Sequence, residues 1–394
     1  MKKIKIPLRG DKGIWTCFIL LTLISLIAVY SSIGRTAIES LDLTPTTAFL
    51  KHLLFVLITY VAIIFLSAAN YRQFSKIAPA GYLVCIGLLL FIIFTHGQRW
   101  ISIAGVSFQP SEIAKVVLVV YTARLLTIRK DSIDTLETFL RIMLGIVVIV
   151  ALIVKENLST AILIFITNFI MMIIGGVKKK YWVRTLAVLV VLGGGVLLYA
   201  SNSSKDINFG RSETWQHRIE SWLHPNHDEL TQENMAKMAV ARGKVMGVGI
   251  GSTVHARLMT QADNDFIYAI IIEESGMAGG LLILLIYSFF FYRCIAVANK
   301  CRGRFATLTV LGMGIMIYLQ AFINMGVTVG VIPVTGQTLP FISYGGTAYV
   351  FMGCGIGIIQ SIAYDNIKRE KQEKINNSQE ESLPDENTDT ESVS

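Results

Sequence analysis

Charge is scarce in this sequence. Only 16% of its 394 residues are Asp, Glu, Lys or Arg, whereas a soluble domain carries about a quarter. Apolar residues make up 53%, and the mean hydropathy is +0.58. That balance excludes an ordinary water-soluble globule. The basic residues form no single stripe, so the formal charge of +8 does not read as a nucleic-acid surface. Cysteine is sparse too. Cys17, Cys85, Cys294, Cys301 and Cys354 all fall in apolar runs or at their edges, none in the long polar segment where a disulfide would persist. Cys294 and Cys301 lack the spacing of a zinc pair, so the cysteines read as small packing residues. No small-x-small cleavage site follows the first apolar run, which reads as an uncleaved helix rather than a signal peptide. No tandem repeat of the solenoid kind is present.

What the chain has in quantity is apolar runs of spanning length. They lie at about 14–34, 49–68, 78–95, 111–127, 138–154, 158–175, 183–200, 265–292, 305–326 and 343–364, and roughly 17–25 apolar residues suffice to cross a bilayer as a helix. The expectation is an all-α polytopic membrane protein of about ten transmembrane helices. Basic residues sit between alternate runs: Lys2, Lys3, Lys5, Arg9 and Lys12, then Arg72 and Lys76, then Arg129 and Lys130. They continue with Lys178, Lys179, Lys180 and Arg184, then Arg293, Lys300, Arg302 and Arg304, and finally Lys368, Arg369, Lys371 and Lys374. The intervening short loops keep only Arg35, Lys51, Arg99 and Lys155. The asymmetry places the N-terminus and the C-terminus in the cytoplasm.

This divides the chain into a cytoplasmic start (1–13), a membrane domain (14–364) and a polar tail (365–394) expected to be unstructured, since "INNSQEESLPDENTDTESVS" is acidic and poor in aromatics. One large extracytoplasmic loop, about 201–264, interrupts the membrane domain. In it Trp215 and Trp222 suit headgroup depth. Residues 234–246 can form a short helix lying on the membrane or dipping into a cavity. Gly247, Gly249 and Gly251 follow as a flexible or closely packed turn. They are not a nucleotide loop, because no Lys-Ser pair follows.

Ionisable groups inside a span are costly and mark function by default. Glu112 and Lys115, in "FQPSEIAK", share one helical face. They read either as a structural ion pair or as the polar wall of a cavity, with Lys115 open to an anionic substrate. Arg99 and Trp100, in "GQRWISIAG", stand at the membrane face, where a guanidinium can grip phosphate and an indole can stack a sugar or simply anchor the interface. "VIPVTGQTLPFISYGGTAYV" carries Pro, Gly, Ser and Tyr near membrane depth. Such irregular backbone is tolerated only when buried in protein or lining an aqueous cavity. Ser343, Tyr344, Gly345 and Gly346 are therefore candidate site residues, with Gln320 and Asn324 either adding hydrogen-bonding groups or serving helix contact. Asp265, in "ADNDFIYAIIIEESG", begins a helix, where it acts chemically or caps the dipole. Glu273 and Glu274 lie deeper and call for a buried cation or polar face.

"GQRWI…FQPSEIAK", "HRIESWLHP", "DNDFIYAIIIEESG" and "PVTGQTLPFISYGG", in that order, resemble the SEDS family (shape, elongation, division and sporulation), nearest its cell-division branch, with the elongation branch as the alternative. The likeness spans nearly the whole ten-helix body. It implies a peptidoglycan glycosyltransferase that polymerises lipid II at the outer face of the bacterial cytoplasmic membrane. The implied partners are a class B penicillin-binding protein and other membrane proteins of the division machinery. It makes Asp265 the catalytic aspartate and puts Trp100, Glu112, Lys115 and Arg218 on functionally sensitive positions, as it does the Ser343–Gly346 segment.

Two departures stand out. Asp263 occupies the place of a usual histidine two residues before Asp265, where it would tune its neighbour or help hold a cation. In "KENLSTA" Asn157 stands where the family has aspartate, beside Glu156. No cofactor is implied with certainty, a divalent cation being left open without a clear ligand set. Two other functions compete: a lipid II flippase, since a polar intramembrane cavity suits translocation, and a non-catalytic division scaffold. Against the first, no inverted repeat with matched broken helices is visible.

Overall fold

A computed structural model describes residues 8–39, 45–95, 100–103, 106–188, 231–255 and 264–380, with isolated positions 191, 218, 222 and 259. In chain order the elements are α1 (Lys12–Glu39), α2 (Pro45–Ala68), α3 (Tyr71–Phe94), β1 (Ile101–Ile103), β2 (Val106–Phe108), α4 (Pro110–Ile128), α5 (Leu136–Val154) and α6 (Leu158–Ile174). Then come α7 (Gln232–Gly243), α8 (Ile267–Asn299), α9 (Arg304–Thr328) and α10 (Gly346–Glu380). The apolar runs fold as helices because a lipid interior offers no partner for backbone N–H and C=O groups, which a helix satisfies within the segment.

Nine of the ten expected spans coincide with a helix. Of the tenth, 183–200, helix is described over 179–188 and little beyond, and most of the expected 201–264 loop also lies outside the described residues. Seven of the helices are long and apolar enough to cross a membrane. Of the other two, α6 has 17 residues and α4 carries Glu112, Lys115 and Arg124. The chain is an all-α, multi-pass membrane protein, and among the described residues it has one two-stranded antiparallel hairpin, β1 paired with β2.

Three departures from the expectation stand out. Helix α3 begins at Tyr71 rather than near 78, because Asn70 caps it, accepting from Arg72 N at 3.0 Å. Gly276, at φ 74° and ψ −177°, interrupts α8. At the other end of the chain, α10 does not stop at 364 but continues to Glu380, through the first part of the segment expected to be unstructured. A helix already nucleated extends at little cost. Side chains of this extension reach the α8–α9 turn: Asn366 Nδ2 donates to Val297 O (3.2 Å), and Glu370 and Glu373 pair with Lys300 (3.1 Å) and Arg302 (2.6 Å).

Helices α4, α9 and α10 form the buried centre, while α2 and α3 turn much of their apolar surface outward. Helices α2 and α10 approach each other closely. A Cβ added to Gly357 would lie 2.8 Å from Leu66 Cβ and 3.3 Å from Ile63 Cα, and one added to Gly353 would run into Thr59. Two glycines four residues apart let helices meet backbone to backbone, as spans do when lipid supplies no hydrophobic drive. At the end of the bundle away from Asp265, Asp11 pairs with Arg293, and its backbone N–H and C=O both bond the Gln360 amide (2.7 and 3.0 Å).

Candidate functional site

The chain between α9 and α10, residues 329–345, has no regular structure yet is largely enclosed. Its carbonyls are taken one after another by side chains from elsewhere in the fold. Trp222 Nε1 donates to Gly330 O (3.0 Å), Arg218 to Val334 O (3.2 Å), Asn324 to Gln337 O (2.7 Å) and Gln320 to Thr338 O (2.9 Å). The Tyr287 hydroxyl donates to Pro340 O, and that of Ser25 to Ile342 O (2.7 Å). Within the segment, Leu339 N donates to Ser343 Oγ (2.7 Å). These contacts fix Phe341 at φ +61°, one of two non-glycine residues with positive φ among the described residues. Strain of this kind persists only where surroundings over-determine it.

Asp265 sits in the turn immediately before α8, half-buried. Two of the same clamps reach this turn. Asn324 Nδ2 donates to Asp265 O at 2.8 Å, and Ser343 Oγ donates to Asn264 O at 2.6 Å. A Cβ at Gly336 would lie 3.6 Å from Asp265 Oδ2, so the carboxylate borders a stretch of the irregular segment without a side chain. The arrangement gives a carboxylate on a held backbone turn at one end of the bundle, bordered by Gly336.

Lys115 does not face open space. It is 1% exposed, and its Nζ lies 2.8 Å from Glu112 Oε2 and 2.8 Å from Gln320 Oε1. Of the two readings open for it, this geometry favours the ion pair: burial in low dielectric is tolerated only with partners, and these occupy the ammonium. Lys115 instead acts on the irregular segment through Gln320 and Thr338.

Glu273 and Glu274 hold protein. Glu273 Oε1 pairs with Arg242 (2.8 Å) and His255 Nδ1 (3.2 Å) and accepts from Val254 N (3.1 Å). Glu274 Oε1 accepts from Gly251 N (2.8 Å) and from Ser31. The break at Gly276 frees helix backbone groups, and the turn after α7 takes them up. Val248 N and Gly249 N donate to Glu273 O (2.9 Å) and Glu274 O (3.0 Å), and Met277 N and Ala278 N to Lys244 O (2.9 Å) and Val245 O (3.2 Å). Gly247 and Gly276 have positive φ (77° and 74°), and a Cβ on either would run into the other segment's backbone. Of the glycine run expected as a flexible or packed turn, Gly247 is closely packed, while Gly249 and Gly251 are exposed.

The family model described as Cell cycle protein, of FtsW, RodA and SpoVE, matches residues 11–368. The chain belongs to this family. Curated relatives include the probable peptidoglycan glycosyltransferase FtsW of Bacillus subtilis, 30% identical over 92% of this chain and 93% of that protein, and stage V sporulation protein E of the same organism, 31% identical over 88% and 94%. Among solved structures, a chain from a study of polymerization and crosslinking by a peptidoglycan synthase complex aligns with TM-score 0.71 at 21% identity, covering 91% of this chain and 98% of that one. The rod shape determining protein RodA of Thermus thermophilus aligns with TM-score 0.65 at 19% identity, over 91% and 97%. These two likenesses establish the fold.

In this FtsW/RodA/SpoVE-family chain the remaining expected residues fall as follows. Trp100 is 49% exposed at the start of the β1–β2 hairpin, which Thr347 ties to α10 by donating to Ser107 O (3.1 Å). Gly345 and Gly346 form the entry to α10. Arg99 and Asp263 lie outside the described residues. Among those residues no group of three or more His, Cys, Asp or Glu side chains is placed to hold a metal ion, and the divalent cation left open above gains no ligand set there. Asn157, the family departure, caps α6 by accepting from Thr160 N at 3.1 Å. Ser25, Tyr287 and Gln337, whose amide donates to Thr160 Oγ1 at 2.8 Å, were not singled out. Their only signal was polarity inside or beside apolar runs, which helix–helix contacts also produce.

Proposed function

We propose that the chain polymerises lipid II into glycan strands at the outer face of the bacterial cytoplasmic membrane during septal wall synthesis, with Asp265 as general base. The relatives' names support the glycosyltransferase activity, and the description of the aligned synthase complex supports a class B penicillin-binding protein as partner. The concentration of Lys and Arg at the end of the bundle opposite Asp265 supports cytoplasmic termini and an outward site.

In this reading the 4-hydroxyl oxygen of the acceptor sugar attacks the anomeric carbon of the lipid-linked donor with inversion. The new C–O bond forms as the bond to the undecaprenyl diphosphate oxygen breaks. The hydroxyl proton passes to the Asp265 carboxylate, and the diphosphate leaves as an anion. A base within hydrogen-bond reach contributes about 10²–10⁴-fold. The leaving group needs charge stabilisation more than a proton, and Arg99 and Arg218 are the basic side chains assigned to it. The observation that carries the reading is the grip on the Asp265 turn: Asn324 holds the Asp265 carbonyl and Ser343 that of Asn264, while the Asp265 carboxylate borders Gly336.

The test is polymerisation of labelled lipid II by the purified chain with a candidate penicillin-binding partner whose transpeptidase serine is blocked. Glycan ladders from wild type and none from Asp265→Asn, with the complex intact, are expected. Ladders from both would remove Asp265 as the base and turn attention to Asp263. Ladders from neither, with complex and substrate verified, would favour transport of lipid II or a scaffold.

A further inference from the structure

We infer that Asn324 is the positioning residue for Asp265, a proposal that rests on Asp265 being the base. Asn324 is 1% exposed on α9. Its amide nitrogen carries two hydrogens, and the structure supplies two acceptors: Asp265 O at 2.8 Å and Gln337 O at 2.7 Å. Both are carbonyl oxygens, so only the NH₂ end of the amide fits there, and the orientation follows from chemistry rather than choice. One rigid group thus spans the two segments that meet at the site, the turn bearing the carboxylate and the irregular segment bordering it.

Helix α9 keeps the amide at fixed height: Gln320, one turn earlier, grips Thr338 O, and Thr328, one turn later, donates to Asn324 O (3.0 Å). Asn324 touches no reacting atom. It acts through Asp265, by setting the distance from carboxylate to the acceptor hydroxyl.

The experiment is a double-mutant cycle in the full complex, with Asn324→Ala and Asp265→Glu measured singly and together for lipid II polymerisation. Thermal unfolding and partner binding are followed in parallel. Misplacing a catalytic group by about 1 Å costs on the order of 100-fold, so Asn324→Ala is expected to lower kcat by about 10–100-fold while KM changes less than about threefold. In the Asp265→Glu background, where the carboxylate is already displaced, it is expected to cost little more. Equal losses in both backgrounds, or a loss confined to KM, would overturn the positioning role. So would unchanged activity of Asn324→Ala. If Asn324→Ala fails to fold, Asn324→Ser, which keeps one donor, takes its place, and failure of both would assign the residue to the fold instead. Loss of polymerisation in Asp265→Asn alongside additive losses would sink this inference alone. Full activity of Asp265→Asn would sink the base assignment first.

Discussion

Lys115 Nζ lies 2.8 Å from Glu112 on its own helix and 2.8 Å from Gln320 on α9, so one buried ammonium joins two central helices and, through the Gln320 amide, the backbone of Thr338. Removing one partner of such a pair leaves the other charge uncompensated in low dielectric, at a cost of about 3–5 kcal/mol, whereas replacing both is often neutral. Lys115→Met is therefore expected to lower the unfolding temperature sharply. Glu112→Gln combined with Lys115→Met is expected to recover most of that stability without recovering full activity, because Gln320 loses its donor. Thermal unfolding of the three variants in one detergent checks it. A single Lys115→Met as stable as wild type would contradict the pairing.

The meeting of Gly247 and Gly276 yields a second expectation. Each has positive φ, and each would drive a Cβ into the other segment's backbone. A left-handed non-glycine residue costs roughly 1–2 kcal/mol before any clash. Gly276→Ala or Gly247→Ala should therefore detach the turn after α7 from α8 while leaving the helices folded. Limited proteolysis would then cut within 244–255 in the variants and not in wild type. Equal resistance would show that the turn docks through Glu273 and Glu274 alone.

The helices were legible in the sequence because length and apolarity decide a span, and spans at about 49–68, 111–127 and 158–175 fall within a few residues of α2, α4 and α6. What was not legible depends on partners distant in sequence. Nothing local to Gly276 tells a packing glycine from a helix break, since the groups that repair the break come from residues 244–249. Asp265 stood out by its motif and by its place at a helix start. Its clamps, Asn324 and Ser343, were legible only as polar groups in the right neighbourhood. Lys115 stayed open between an ion pair and a cavity wall because a lysine within a span looks the same whether its ammonium meets a cavity or a buried glutamate and glutamine. The extension of α10 was missed because composition describes the isolated segment, not one that continues an existing helix and docks on the α8–α9 turn.

Asn157 offers a test in which family pattern and local physics agree. Its side chain accepts from Thr160 N at 3.1 Å as the first helical turn of α6 begins. Asp and Asn cap about equally well, and loss of a cap costs about 1 kcal/mol. Asn157→Asp is expected to leave stability and polymerisation near wild type, and Asn157→Ala to lower stability by about 1 kcal/mol. If Asn157→Asp instead changes activity at equal stability, the charge at this position does more than cap.

The α2–α10 contact separates two glycines only two residues apart. Both sit inside a helix, where glycine is about 1 kcal/mol less favourable than alanine, so each substitution begins with a gain. At Gly355 the new Cβ would lie 3.3 Å from Met313 Sδ, the thioether of a flexible chain that shifts readily. At Gly357 it would lie 2.8 Å from Leu66 Cβ and 3.3 Å from Ile63 Cα, atoms that move only if the whole of α2 moves. Overpacking of that sort costs typically 1–3 kcal/mol. Gly355→Ala is thus expected to be neutral or slightly stabilising, and Gly357→Ala destabilising, with Gly357→Leu more severe. Unfolding temperatures of the three variants, measured in the same detergent, rank them. If Gly355→Ala proves the worse of the two alanines, α10 is rotated relative to α2 from the orientation described, and the path from α10 back to Ser343 and Asp265 must be redrawn with it.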